Sequence, residues 1–254
     1  MAVLHESIEM YPVHRVPVTR SFVWLGEAWR DLLHHPGASL AYGWLVAALG
    51  ALILAYQRHP AYLAATIAAF LLVGPVITAG LCELSRRRDH GESTTFQASL
   101  QGLQHNSVNL LRFAGTLLAI ALAWFALSAS ALYAATGSVF PGVESTVWGD
   151  VLRTLNDTQV VAYGLSFAAL AFVVFALSVV TVPMIIDRHV DAGTAMRMSL
   201  RVAARDFPAM VLWALLITGL VLAGFATWLL GMIVVFPLLG HATWFAYRDT
   251  VHEA

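Results

Sequence analysis

The sequence contains no lysine, a single cysteine and few charges of either sign. Without a lysine amine, Schiff-base and lysine-assisted mechanisms are excluded. Cys82 alone can form neither a disulfide within the chain nor a thiolate metal cluster. Charged residues make up 11% of the 254 residues, against about 25% in a soluble domain. That leaves too little polar surface to keep a monomer in water. Also missing are the Gly-x-x-x-x-Gly-Lys phosphate loop, the His-Glu-x-x-His zinc helix and the Gly-x-Ser-x-Gly nucleophile elbow. No pair of aspartates lies inside an apolar stretch to couple protons or sodium. The chain is therefore not expected to be an enzyme.

What is present is hydrophobic: 59% of residues and a mean hydropathy of +0.74. Uncharged stretches run over 38–56, 61–82, 113–143, 158–186 and 207–247. A bilayer-crossing helix needs roughly 20 apolar residues. The first two stretches hold one crossing each, the next two hold one plus a loop, and the last is long enough for two. The expected fold is an all-α integral membrane protein with six transmembrane helices. They form three hairpins, each preceded by an amphipathic interfacial helix on the cytoplasmic side. Residues 1–20 form a cytoplasmic tail without the apolar core of a cleaved signal peptide. A single membrane domain covers 21–249, and 250–254 form a second tail.

Arginine sets the orientation, because positive flanks resist translocation. Arg15, Arg20 and Arg30 precede the first crossing, and Arg86, Arg87, Arg88 and Arg112 separate the second from the third. Arg188, Arg197, Arg201 and Arg205 separate the fourth from the fifth, and Arg248 follows the sixth. Only Arg58 and Arg153 fall on the other side. Both termini are thus expected in the cytoplasm of a bacterial inner membrane. The outer connections read as a tight turn at 57–60, a longer loop at 136–159 and almost no loop near Thr227 and Trp228.

A pattern recurs three times, over about 21–90, 93–190 and 192–249. Each unit opens on an amphipathic segment: Phe22, Leu25, Trp29, Leu32 and Leu33; then Phe96, Leu100 and Leu103; then Met196, Leu200, Ala203 and Phe207. Ser99-Leu100 and Ser199-Leu200 stand in matching places. Prolines 75, 183 and 237 stand near the inner end of each hairpin, where Thr78 and Thr181 are close enough in sequence to bond a freed carbonyl.

Several runs resemble a known family. His35-Pro36, Ser39-Leu40 and Tyr42-Gly43 open the first crossing; Gly74-Pro75 and Gly80-Leu81-Cys82-Glu83-Leu84-Ser85-Arg86-Arg87 close the second. Val182-Pro183-Met184 with Asp187-Arg188 closes the fourth, and Pro237-Leu238-Leu239-Gly240-His241-Ala242-Thr243-Trp244 with Tyr247-Arg248 closes the sixth. Together, over about 21–248, they resemble the prokaryotic integral-membrane family catalogued as domain of unknown function 2189. Some members carry the label cytochrome c oxidase subunit, which implies a respiratory context. The family brings no catalytic residues.

His241 is the one histidine well inside an expected crossing, where ionisable groups are costly and often functional. A haem with two imidazole ligands needs a partner at similar depth, and none is found, so no cofactor or metal is expected. The bland reading is a neutral imidazole bonded to a helix carbonyl or a nearby threonine such as Thr243. Glu83 lies three and four residues before Arg86 and Arg87, a spacing that pairs on a helix; Asp187 beside Arg188 and Arg248 beside Asp249 look similar. Read as helix ends, these charges neutralise themselves; read as a site, they line an inner vestibule. Arg86, Arg87, Arg88, Arg197 and Arg201 are the candidate contacts to anionic lipid or to an acidic partner face.

The leading expectation is a non-catalytic accessory subunit or assembly factor of a larger inner-membrane complex, with a cytochrome oxidase as the candidate complex. Its expected partners are membrane lipid and other integral membrane subunits, not nucleic acid. The alternatives are a small-solute transporter or channel, with a cavity lined by His241, Thr243, Ser178 and Thr181, and a lipid-binding protein that shapes the bilayer.

Overall fold

The computed structural model describes residues 11–34, 36–55, 74, 77–136 and 156–251. Pro75, the turn at 57–60 with Arg58, the loop residues 137–155 with Arg153, and His35 lie outside the described residues. Every described element is helical. In chain order these are α1 (Arg20–His34), α2 (Pro36–Ala55), a helical segment over 77–89, and α3 (Phe96–Thr136). Then follow α4 (Asp157–Ser178), α5 (Thr181–Arg188), α6 (Ala192–Arg205), α7 (Phe207–Ala226) and α8 (Met232–Thr250).

Among the described residues, three stretches are long and apolar enough to cross a bilayer: Phe96–Ala131, Asp157–Arg188 and Phe207–Ala226; Pro36–Leu52 is a shorter apolar helix. Only 22% of the most apolar window of the first and of the third is buried within the chain. Their apolar surface therefore faces outward, as it does when lipid replaces water. The all-helical, integral membrane character agrees with the sequence.

Helix breaks follow prolines. Pro36 starts α2, and Pro208 stands in the first turn of α7, where its missing N–H costs nothing. In these two units an amphipathic helix (α1 or α6) is separate from the apolar helix after it. The middle unit differs: α3 runs unbroken for 41 residues, about 60 Å at 1.5 Å per residue, twice a bilayer core of roughly 30 Å. The expected separate interfacial helix is absent there because no proline stands between Phe96 and Phe113. Its amphipathic part is the first half of α3.

The amphipathic segments expose part of each apolar stripe, while Leu32, Leu103 and Ala203 of the same stripes are buried. On α1, Phe22, Trp29 and Leu33 are exposed, whereas Ser21, Trp24, Ala28, Asp31 and Leu32 are buried. On the other two, Leu100, Leu200 and Phe207 are exposed, whereas Ser99 and Ser199 are fully buried. Ser199 donates to the Ala176 carbonyl (2.6 Å) and Ser99 to the Phe96 carbonyl (2.6 Å), and Tyr42 Oη lies 2.7 Å from Ser99 Oγ. The recurring serines thus serve the packed side of each helix.

Pro237 is inside α8, but Pro183 is not helix-interior as expected: α4 stops at Ser178, and Pro183 falls in the first turn of α5. Nor do the threonines bond proline-freed carbonyls. Thr78 donates to Gly74 and Thr181 to Leu177, each four residues back along the chain.

The principal core lies at one end of the bundle, around α8, which packs against α1 and α2. Trp24, Trp213, Trp244, Tyr247, Phe113, Met184 and Met198 are buried there. Trp24 of α1 meets Trp213 of α7 edge to face at 5.6 Å. Residues before α1 are docked as well: His14 N–H donates to the Thr250 carbonyl (2.9 Å), and Val16 N–H to Asp206 Oδ2 (3.1 Å). α7 and α8 are joined by a tight turn in which Trp228 and Leu229 take positive φ.

Candidate functional site

Four elements bring polar groups together beneath the charged end of the bundle. α1 supplies Asp31, the first turn of α2 supplies Ser39, the 77–89 segment supplies Ser85 and Arg88, and α8 supplies His241. Asp31, Ser39, Ser85 and His241 are all buried. The helices close in because small residues allow it. A side chain at Gly240 would run into Leu81, and one at Gly80 into the Tyr42 ring.

The group is bonded end to end. Ser39 Oγ lies 2.9 Å from His241 Nε2, and Ser85 Oγ lies 2.7 Å from His241 Nδ1. Ser85 Oγ donates to Asp31 Oδ2 at 2.6 Å, and Asp31 is paired with the Arg88 guanidinium. The nearest direct approach of His241 Nδ1 to Asp31 Oδ2 is 3.9 Å, so Ser85 stands between them. Proton counting assigns the tautomer. The single Ser85 proton goes to the carboxylate, so its oxygen accepts from Nδ1–H; Nε2 then carries the lone pair and accepts from Ser39. Asp31, Ser39, Leu84, Arg88 and His241 line a cleft of about 10 Å³, the room of about one water molecule.

Around this centre the other charges pair off. Glu83, buried on the 77–89 segment, accepts from Arg86 Nε (2.8 Å) and Arg87 Nε (2.7 Å), and Glu92 approaches both arginines at 3.5 and 3.4 Å. The Glu83 hydrogen bonds hold the Arg86 guanidinium above its ordinary pKa, against the opposing pull of burial. Asp187 accepts from Tyr247 Oη (2.7 Å) and lies 3.2 Å from Arg188. Arg248 reaches Glu27 and Asp89, each at 3.2 Å, and Trp244 Nε1 donates to the same Asp89 oxygen at 2.7 Å. Asp249 takes Arg20 Nε (2.6 Å) and Trp24 Nε1 (2.8 Å).

Of the residues singled out in the sequence, His241 is the one at the centre, bonded to serines of two other helices rather than to a carbonyl or threonine of its own. Thr243 is not its partner: it donates to the Leu239 carbonyl (2.8 Å), and Ser178 donates to Val174 (2.6 Å). With Thr181 bonded to Leu177, only His241 of the four expected lining residues faces the cleft. Glu83, Asp187 and Arg248 form three separate ion-pair groups around it. Arg86 and Arg87 pair with Glu83, and Arg88 pairs with Asp31. Arg197 donates to Thr194 at 3.2 Å, and Arg201 lies on the exposed face of α6.

Sequence reasoning missed Asp31, Ser39 and Ser85. The last two lie in the runs that carry the family resemblance. Asp31 repeats at helical spacing with Ser21, Trp24 and Ala28, a stripe hidden by the stronger apolar stripe on the opposite side of α1.

Residues 63–187 match the model of the DUF2189 family, described as predicted integral membrane protein. The family resemblance holds over that segment. The Gly240–Trp244 run, with His241, lies beyond it. No curated protein and no solved structure matches the chain.

Proposed function

We propose that the chain is a six-span protein of the bacterial inner membrane, with both termini in the cytoplasm, acting as an accessory subunit or assembly factor of a larger membrane complex. One observation carries this reading. The charged end is closed by ion pairs that tie α1, the 77–89 segment and α8 together and by a hydrogen bond from Tyr247 of α8 to Asp187 of α5, while the apolar lengths of α3 and α7 stay largely uncovered. A rigid inner layer with bare apolar helices suits packing against neighbouring membrane helices, where close fit drives association. The label carried by some family members makes a respiratory oxidase the complex to examine first.

Extraction in mild detergent followed by mass spectrometry tests the reading. A larger complex of fixed stoichiometry is expected, with any haem absorbance belonging to the partner. A monodisperse lone chain contradicts it.

A further inference from the structure

We propose that Ser39 and His241 form an acyl-transfer centre that cleaves a carboxylic ester of a membrane amphiphile. This goes beyond an accessory role and assigns chemistry to a chain that lacks the usual nucleophile motifs.

The order and spacing of the side chains fit this chemistry. A nucleophilic hydroxyl, an imidazole base and a group that fixes the far ring nitrogen must stand in sequence, each within about 2.6–3.2 Å of the next. Ser39 Oγ to His241 Nε2 is 2.9 Å, and His241 Nδ1 to Ser85 Oγ is 2.7 Å. Ser85 passes the orienting role on to Asp31 at 2.6 Å. The tautomer assigned by proton counting is the reactive one, with the Nε2 lone pair aimed at the serine hydroxyl. Arg88 and Asp31 are the charged groups that face the imidazole, and they neutralise each other.

The backbone adds a second element. Ser39 is the fourth residue of α2. The amides of a helix's first turn have no partner within the helix, and the end of the helix favours negative charge. Pro36 has no N–H, so the amides of Gly37, Ala38 and Ser39 are the donors this turn would offer a developing oxyanion.

The site's position selects the substrate class. Ser39 stands where the ion-paired layer meets an apolar helix, and α1 beside it exposes Phe22, Trp29 and Leu33. Interfacial helices of this kind sit at the boundary between headgroups and acyl chains, where the ester carbonyls of membrane lipids lie. Of the five residues lining the cleft, Arg88 alone keeps a sizeable exposed surface, with its side chain 32% exposed. Entry of a carbonyl larger than the resting cleft requires Arg88 to leave Asp31.

The reaction balances with water as the co-reactant. Ser39 Oγ attacks the ester carbonyl carbon and gives its proton to His241 Nε2. The bond from carbon to the leaving oxygen breaks, and His241 returns the proton to the departing alcohol. Water then attacks the acyl-serine, again losing a proton to His241, and Ser39 leaves with that proton as the free carboxylic acid forms. Ser39 and His241 are the catalytic residues. Ser85 and Asp31 are positioning residues.

The test uses the purified full chain in mild detergent with an alkyl fluorophosphonate probe. Tandem mass spectrometry is expected to place the phosphonyl group on Ser39. His241→Gln should slow labelling by about 100-fold or more. Ser85→Ala should slow it and move its pH midpoint, and Ser85→Thr should restore both. No adduct on folded wild-type protein after hours at millimolar probe overturns the proposal, and so does an adduct on any other residue. Because the adduct is located on the wild-type chain, these outcomes hold even if a variant fails to fold.

Discussion

The backbone of Gly43 lies against the carbonyl of Ile233, the acceptor that Pro237, having no N–H, leaves without its partner one turn on. A proline inside a lipid-embedded helix needs its freed carbonyl covered. Here a glycine of α2 covers it, and the close approach of α2 to α8 is also what brings Ser39 to His241.

Gly43→Ala should therefore lower stability by about 1–3 kcal/mol, the usual cost of overpacking a filled core, because the new methyl meets backbone rather than a movable side chain. Gly26→Ala, with nothing within 4 Å of the added carbon, is the control. It should be neutral or gain up to about 1 kcal/mol from helix propensity. Thermal unfolding of both variants in detergent decides.

Asp31 and Arg88 should be strongly coupled. Removing Arg88 alone leaves a buried carboxylate unpaired, a loss of about 3–5 kcal/mol in fully buried pairs and less here, where the guanidinium is partly exposed. Asp31→Ala combined with Arg88→Ala should lose less than the two single changes summed. A double-mutant cycle on the unfolding midpoint checks this, and strict additivity refutes it.

Asp191 caps α6, its Oδ1 accepting from Thr194 N–H at 3.1 Å. Burial pulls its carboxyl up, but hydrogen bonds from Thr194 and Gly193 and the charge of Arg197 outweigh it and hold the pKa below the ordinary value of 3.8. The sign follows: a depressed folded-state pKa adds stability that is full at neutral pH and lost as pH falls through the folded value. Asp191→Ala should cost about 1 kcal/mol at pH 7 and progressively less in acid. Asp191→Asn should keep the cap and remove that acid dependence. Unfolding curves at pH 7 and pH 3 separate the two.

The all-helical, apolar character was legible because hydropathy reports directly on a bilayer. The apolar helices, the near absence of a loop at Trp228 and the pairing of Glu83 with Arg86 and Arg87 all follow from local sequence. The site was not. Asp31 and Ser85 are 54 residues apart and Ser85 and His241 156, yet they meet through helix packing, which no local periodicity encodes. The unbroken α3 was missed because amphipathic and apolar faces join smoothly when no proline intervenes. The outward Phe22, Trp29 and Leu33 of α1 follow from lipid acting as solvent, whereas α6 buries Met198 and Val202 and exposes Arg197, Arg201 and Arg205.

The most direct test of the account is the side of the membrane on which each end of the bundle lies. Cys82 is buried, so the native chain is a silent background for a membrane-impermeant maleimide. Trp228, 84% exposed in the α7–α8 turn, is replaced by cysteine in one variant, and Arg201 on α6 in another. In intact spheroplasts, Trp228→Cys should label and Arg201→Cys should label only after permeabilisation. The reverse pattern, or equal labelling of both before permeabilisation, would contradict an arginine-rich end held in the cytoplasm.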